Sequence, residues 1–223
     1  MKEKEFGTKI LLVLALFFTS CASVKQDQLT FNGMIFNDNN EAVSDVQIYL
    51  NNEEITVSDI YGHFTITELG RNNEYVLKAV KNGYETTEIT FTFLNASQVL
   101  YLHMYSAEEL LVKTEELIKE KKYIEAEKFL ERAENAEASY LSANYLRAII
   151  LYNRKNYEES LSVLKKLINS EYEEAYVYLF MADIYEKEFN NLEETKKCLS
   201  RFLEFEYSED VSERLQKLTE KDK

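Results

Sequence analysis

The sequence predicts an α+β chain in two parts, a small antiparallel β-sandwich followed by an α-helical solenoid, and three observations carry that reading. Residues 29–105 alternate apolar and polar side chains in twos, the period of a half-buried strand. Residues 106–219 change to the helical period and contain no glycine. Within that second part a pattern of large and small residues returns every 34 positions, as expected of helix pairs stacked side by side.

Ahead of both parts the chain opens with Lys2, Lys4 and Lys9, runs apolar from Ile10 to Phe18, and turns small and polar at Thr19-Ser20-Cys21-Ala22. Basic, apolar and small segments in that order predict a secretory leader. The apolar run is nine residues, well short of the ~20 that cross a bilayer as a helix. Phe18-Thr19-Ser20-Cys21 resembles the lipobox of bacterial lipoproteins, with Phe18 where Leu is usual. The resemblance implies that residues 1–20 are a signal peptide, that the Cys21 thiol is acylated, and that residues 21–28 tether the rest to the cell envelope. Ala22 in place of a retention aspartate implies the outer membrane and leaves the facing side open.

Charge narrows the partners. The formal net charge is −14, and losing residues 1–20 removes three Lys and two Glu, so −14 becomes −15. Nucleic acid and anionic headgroups repel such a chain. Membrane attachment then falls to covalent lipid, of which each buried CH₂ contributes about 0.8 kcal/mol. With Cys21 committed to lipid, only Cys198 remains and no intramolecular disulfide can form.

In residues 29–105 the strand faces can be read off directly. Val46, Ile48 and Leu50 share one face, as do Phe64 and Ile66, then Tyr75, Leu77 and Ala79, then Thr87, Ile89, Phe91 and Phe93, and finally Leu100, Leu102 and Met104. Asn37-Asp38-Asn39-Asn40, Asn51-Asn52, Tyr61-Gly62, Asn72-Asn73 and Asn82-Gly83 punctuate them, and Asn82-Gly83 is the strongest hairpin signal. About seven short strands are expected. Gly33-Met34-Ile35-Phe36-Asn37-Asp38, Val43-Ser44-Asp45-Val46-Gln47-Ile48, Ser58-Asp59-Ile60-Tyr61-Gly62-His63-Phe64 and Asn82-Gly83-Tyr84 together resemble the carboxypeptidase-regulatory-like domain. Ser58 stands where Thr is usual, and Ala42 where Pro is common. The resemblance implies a transthyretin-like fold that serves as a spacer or docking module without catalysis.

In residues 106–219, Tyr123, Ala126 and Leu130 return as Tyr157, Ser160 and Leu164, while Thr114 and Leu117 return as Ala148 and Leu151 and again as Ala182 and Tyr185. One residue inserted at Glu188-Phe189-Asn190-Asn191 places the next partners at Leu192, Thr195 and Leu199. The small members, Thr114, Ala148 and Ala182 on first helices and Ala126, Ser160 and Thr195 on second helices, predict close antiparallel pairs. Asn156 and Asn190 or Asn191 are expected to supply the left-handed conformation at the intervening turns, which Lys121-Lys122 lacks. The segment resembles three tetratricopeptide repeats at about 107–140, 141–174 and 175–208, with Val211 to Leu218 as a capping helix and no terminal prolines.

Chemistry beyond binding finds no support. His63 and His103 lie in different strands with no metal-ligand spacing around them, and His103 shares the solvent face of Val99 and Tyr101. Cys198 reads as a small half-buried side chain. Glu108-Glu109, Glu115-Glu116, Glu173-Glu174 and Glu193-Glu194 are adjacent on helices, so their carboxylates diverge by about 100° and cannot converge on one bond. No catalytic residue, metal or cofactor is expected. The tetratricopeptide resemblance implies a groove lined by first helices, at Glu108, Leu111, Glu115 and Ile118, then Ser142, Tyr145, Ile149 and Tyr152, then Tyr176, Leu179, Asp183 and Glu186. Tyr178 and Tyr185 fall at packing positions. The expected function is a lipid-anchored envelope scaffold binding a protein or peptide through Tyr145, Ile149, Tyr152, Tyr176, Leu179 and Asp183, with the acidic rim favouring a basic partner. The alternative is a glycan- or cell-wall-binding lipoprotein that stacks sugars on its tyrosines.

Overall fold

The computed structural model describes residues 30–170 and 174–220. Seven strands come first: β1 (Phe31–Phe36), β2 (Gln47–Leu50), β3 (Glu53–Val57), β4 (His63–Ile66), β5 (Glu74–Val80), β6 (Thr87–Thr92) and β7 (Val99–His103). They form a three-stranded sheet, β4-β1-β7, and a four-stranded sheet, β3-β2-β5-β6. The faces read from the period-two pattern are the buried ones: Val46, Ile48, Phe64, Ile66, Leu77, Ala79, Phe91, Phe93, Leu102 and Met104 belong to a single core. Phe31 locks the sheets together, stacking on Phe91 at 4.8 Å and meeting Phe93 edge-on at 5.8 Å. Each such aromatic pair adds roughly 0.5–1.5 kcal/mol beyond the area it buries.

Two expectations about the strands are corrected. The sandwich is not wholly antiparallel, because β1 pairs with β7 in parallel, from Asn32 opposite Val99 to Phe36 opposite His103. Alternation determines which side chains turn inward and is silent on strand direction, which connectivity sets. Nor is Asn82-Gly83 a two-residue hairpin. Only Gly83 is left-handed, at φ 75°, in the longer connection over residues 81–86. That turn sends Tyr84 to bridge Ser106, and the Gly83 carbonyl accepts from the Ala107 N–H at 2.8 Å. Asn51 and Asn52, at φ 51° and 71°, make the two-residue hairpin between β2 and β3, as a type I′ turn requires.

The conspicuous motif residues have physical roles. A Cβ on Gly33 would lie 2.0 Å from the Phe64 ring, so the glycine leaves the space that the ring fills. Asp59 Oδ1 accepts from the N–H groups of Tyr61 and His63, both at 2.9 Å, closing the turn in which Gly62 takes φ 71°. Buried Ser58 donates to the Val43 carbonyl at 2.9 Å and accepts from the Val46 N–H at 3.0 Å, holding the approach to β2.

Seven helices follow: α1 (Ala107–Lys119), α2 (Tyr123–Asn135), α3 (Tyr140–Asn153), α4 (Tyr157–Ile168), α5 (Ala175–Lys187), α6 (Leu192–Phe205) and α7 (Glu209–Glu220). α1 pairs with α2, α3 with α4 and α5 with α6. Thr114, Ala126, Ala148, Ser160, Ala182 and Thr195 are all fully buried in these pairs. Their hydroxyls are satisfied: Ser160 Oγ donates to the Ala148 carbonyl on the facing helix at 2.8 Å, and Thr114 and Thr195 donate to carbonyls one turn back, also at 2.8 Å. Among the described residues, no helix is long and apolar enough to cross a membrane.

The first part passes directly into the second. β7 ends at His103, and Ser106 caps α1 in a capping box with Glu109. From α2, Arg132 reaches back to Glu85 with two charge-assisted bonds of 2.8 and 2.6 Å. Its guanidinium also lies 5.1 Å from the Tyr105 ring and 4.6 Å from the Phe129 ring. A planar, forked cation serves all four contacts at once, which a lysine could not do.

The turns between helices agree with expectation at Asn190 and differ at Asn156. Among the described residues of the helical part, the left-handed ones are Lys121, Glu137, Lys155 and Asn190. Thus Lys155, not Asn156, takes the strained position, and Lys121 does the same one repeat earlier. At Lys121 the N–H bonds the Ile118 carbonyl while the Lys122 N–H bonds Leu117, and Lys155 with Asn156, and Glu137 with Ala138, repeat that pattern. These are Schellman closures, which satisfy the last carbonyls of the helix whatever residue supplies the conformation. A side chain there costs roughly 1–2 kcal/mol, and the freer unfolded chain of glycine offsets part of any gain. Lys121→Gly, Glu137→Gly and Lys155→Gly should therefore each raise unfolding stability by about 0.5–1 kcal/mol in urea titrations. Asn156→Gly, one residue too late, should bring no gain.

Candidate functional site

The helical period places Tyr145, Ile149 and Tyr152 on one face of α3, and Tyr176, Leu179, Asp183 and Glu186 on one face of α5. The opposite faces are consumed by packing. Ala143, Leu146 and Ile150 are buried on α3, and Val177, Tyr178, Met181, Ile184 and Tyr185 on α5. Tyr178 and Tyr185 are thus core residues, as their register predicts.

What remains on the outer face is an aromatic strip. Tyr145 meets Tyr176 edge-on at 4.7 Å and Phe180 at 5.9 Å, while Tyr152 meets Phe180 at 5.5 Å and Tyr157 at 5.4 Å. Phe180 therefore joins the two helices across the strip. Tyr176 is 39% exposed, and Tyr145, Ile149, Tyr152 and Leu179 are half-buried. Ile149 of α3 and Leu111 and Ile118 of α1 pack against one shared apolar cluster of α1, α2 and α3. Burial raises the Tyr145 phenol above its ordinary range, with smaller contributions from Tyr176 and Asp183. Burial and then Glu188, which accepts from the Tyr152 hydroxyl at 3.0 Å, do the same for Tyr152. Tyr176 is raised by burial and Glu174. All three are neutral donors at physiological pH, so the strip offers apolar rings with polar tips.

The acidic rim is uneven. Asp183 lies 2.7 Å from Arg214 of α7 and 2.9 Å from Lys187. Glu186 accepts from Arg214 through both Nε, at 2.9 Å, and Nη2. On α1, Glu115 is only loosely paired with Lys119 at 3.9 Å, and Glu108 has no cation within ion-pair distance among the described residues. The carboxylates on α5 are thus compensated inside the chain, and those on α1 are largely not.

Phe180 and Arg214 were not singled out from the sequence, yet the signal was present. Leu146, Phe180 and Arg214 stand 34 residues apart. At that register position Leu146 is buried against the first two helices, Phe180 covers the aromatic residues of α3, and Arg214 covers the acids of α5. The 34-residue period alone reaches Phe180; Arg214 is reached because the residue inserted at Glu188–Asn191 is offset before α7, which starts at Glu209, 34 positions after Ala175.

Two clefts lie elsewhere. One, of about 430 Å³, separates the loop after β1 from α1 and is lined by Asp38, Asn39, Glu108, Glu109 and Lys113 among others. The other, of about 340 Å³, lies between α4 and α5 beside Leu161, Lys165, Tyr185 and Phe189. Only Glu108 is shared with the groove positions. His63 lies 3.9 Å from Asp59, and His103 is exposed beside the Tyr105 ring. Among the described residues, no three His, Cys, Asp or Glu side chains are grouped so as to hold a metal. Cys21, with the leader and tether read from residues 1–28, lies outside the described residues, as does Glu173. No protein-family model matches the chain, and no curated protein matches it.

Cys198 is 5% exposed on α6, and its thiol is pushed up to about 11 by burial and then by Glu194, against the pull of Lys165 and Lys197. In a Cys21→Ser chain, a disulfide reagent at pH 8 should leave this thiol unmodified under native conditions and consume one equivalent in denaturant. Rapid native reaction would refute the packing assigned to α6.

Proposed function

We propose that the chain is a lipid-anchored scaffold of the cell envelope that binds a protein or peptide segment along the face built by α1, α3 and α5. In this reading, α1 to α6 are three tetratricopeptide repeats closed by α7. Residues 29–105 are a carboxypeptidase-regulatory-like spacer, and lipid on Cys21 holds the whole to the membrane. The observation that carries it is the half-exposed strip of Tyr145, Ile149, Tyr152, Tyr176 and Phe180. Aromatic rings with apolar faces and neutral hydroxyl tips are the anchors that interfaces use most. Burial of the strip supplies the affinity, and a cation on the partner finds Glu108 on α1 uncompensated.

A photo-crosslinker, p-benzoylphenylalanine, placed at position 145 or 176 in living cells tests the reading. Both positions should yield the same defined protein adduct, which Ile149→Asp abolishes, while the exposed position Ile124 on α2 yields none. Equal adducts from all three positions would sink the groove.

Anchoring is tested separately. Cys21→Ser should move the exported protein from the membrane to the soluble fraction, because among the described residues no helix is long and apolar enough to cross a bilayer. Retention in the membrane would mean that an uncut leader is the anchor.

The glycan reading has one observation of its own. Phe36 and Tyr101 lie on the outer face of the three-stranded sheet with rings 19° from parallel and 6.4 Å apart, and Tyr101 is 66% exposed. Retardation by polysaccharide in affinity gels that is lost in Tyr101→Ala, together with silence at position 145, would favour it over the scaffold.

A further inference from the structure

Accepting that the aromatic strip is a partner groove, the carboxylates at its α5 end raise a question of selectivity. Asp183 and Glu186 occupy groove positions, and two carboxylates one helical turn apart would ordinarily recruit a guanidinium or ammonium from a partner. In this chain the guanidinium is already present. Arg214 projects from α7 onto both, with one nitrogen 2.7 Å from Asp183 and another 2.9 Å from Glu186. α7 is held by Val211 and Leu218 in the core of α5 and α6, so the arginine is delivered on a packed helix at high local concentration. Both acids and the arginine are about two-thirds buried, with side-chain exposures of 27 to 34%. The repeat register sharpens the point. Leu146 and Phe180 make apolar contacts at the equivalent positions of α3 and α5, and α7 substitutes a cation there, opposite Asp183 and Glu186 of α5.

We propose that Arg214 is a specificity-determining residue that closes the acidic end of the groove to basic partners. The segment accepted is then aliphatic and aromatic, without a cation, where it crosses Tyr145, Phe180 and Tyr176. A partner lysine or arginine at that end would have to displace an intramolecular ion pair. A neutral apolar side chain has only water to displace.

Random peptides displayed on phage and selected in parallel on the full chain and on its Arg214→Gln variant test this. Pools selected on the parent chain should be rich in aromatic and aliphatic residues, with Lys or Arg confined to the terminus that meets Glu108 on α1 and none at the spacing that would reach Asp183 and Glu186. Pools from Arg214→Gln should gain Lys or Arg at a constant spacing from an aromatic residue. The best of those peptides should bind the variant about tenfold more tightly than the parent by fluorescence anisotropy, with the difference shrinking at high salt. Should Arg214→Gln fail to fold, the Asp183→Asn, Glu186→Gln double variant leaves the arginine unopposed and should select Asp- or Glu-bearing peptides instead. Equal enrichment of Lys or Arg at the spacing that reaches Asp183 and Glu186, on parent and variant alike, would overturn the assignment of Arg214. Peptides that bind every chain and ignore Tyr145→Ala would instead overturn the groove itself, and the proposal with it.

Discussion

The fully buried small residues between paired helices are the constraint on which the helical half depends. Thr114 and Ala126, Ala148 and Ser160, and Ala182 and Thr195 have no exposed surface, so each pair of helices approaches as closely as its backbones allow. Interaxial distances are set by the side chains at the contact, and overpacking one such position costs roughly 1–3 kcal/mol. Close pairing turns one face of each first helix inward and leaves another turned away. The aromatic strip is a consequence: Tyr145, Tyr152 and Tyr176 are what the sequence puts on the face that pairing does not use. The hydroxyls of Ser160, Thr114 and Thr195 belong to the same constraint, since a buried hydroxyl is tolerable only with a partner, and each has a carbonyl at 2.8 Å.

The sandwich contributes position. Its Gly83 turn and Tyr84 meet the start of α1, and Arg132 ties α2 to Glu85. At about one-third exposure this ion pair is a modest source of stability. Its effect is directional, because two bonds to one carboxylate and two aromatic faces fix the orientation of α2 against the loop after β5. The acid-lined cleft beside α1 arises from this junction, and Glu108 belongs to both cleft and groove. An α1 displaced from the sandwich would lose that shared edge.

Much of this was legible in the sequence, for identifiable reasons. Period-two alternation named the buried face of five of the seven strands, all but β1 and β3, since a strand has only two faces. It missed the parallel pairing of β1 with β7 because direction depends on connection. The 34-residue register located the small contacts and brought Tyr145, Tyr152 and Tyr176 into one aromatic strip, since both are properties of a helix face. Asparagine placement found the left-handed Asn190 and missed Lys121, Glu137 and Lys155. Schellman geometry is imposed by the carbonyls it satisfies, so Lys121 and Lys155 adopt it without the side chains that favour it. Nor could counting acids establish which are free. Asp183 reads as an open rim carboxylate until Arg214, 31 positions later, is brought onto it by the packing of α7.

The same distinction governs how a formal charge of −14 acts on partners. Much of the negative charge is engaged in pairs along the helices, as with Glu116 and Lys113, Glu127 and Arg154, and Glu194 and Lys197. At physiological salt, fields are screened over about 8 Å. In the proposed scaffold, a partner docking on this face would therefore sense the carboxylates it touches more than the net charge of the chain. Those at the α5 end are neutralised by Arg214 and Lys187, while Glu108 at the α1 end is not. The face built by α1, α3 and α5 thus has an electrical direction, acidic near the sandwich and neutral near α7, which in the proposed scaffold would bias a partner with one basic terminus toward a single orientation.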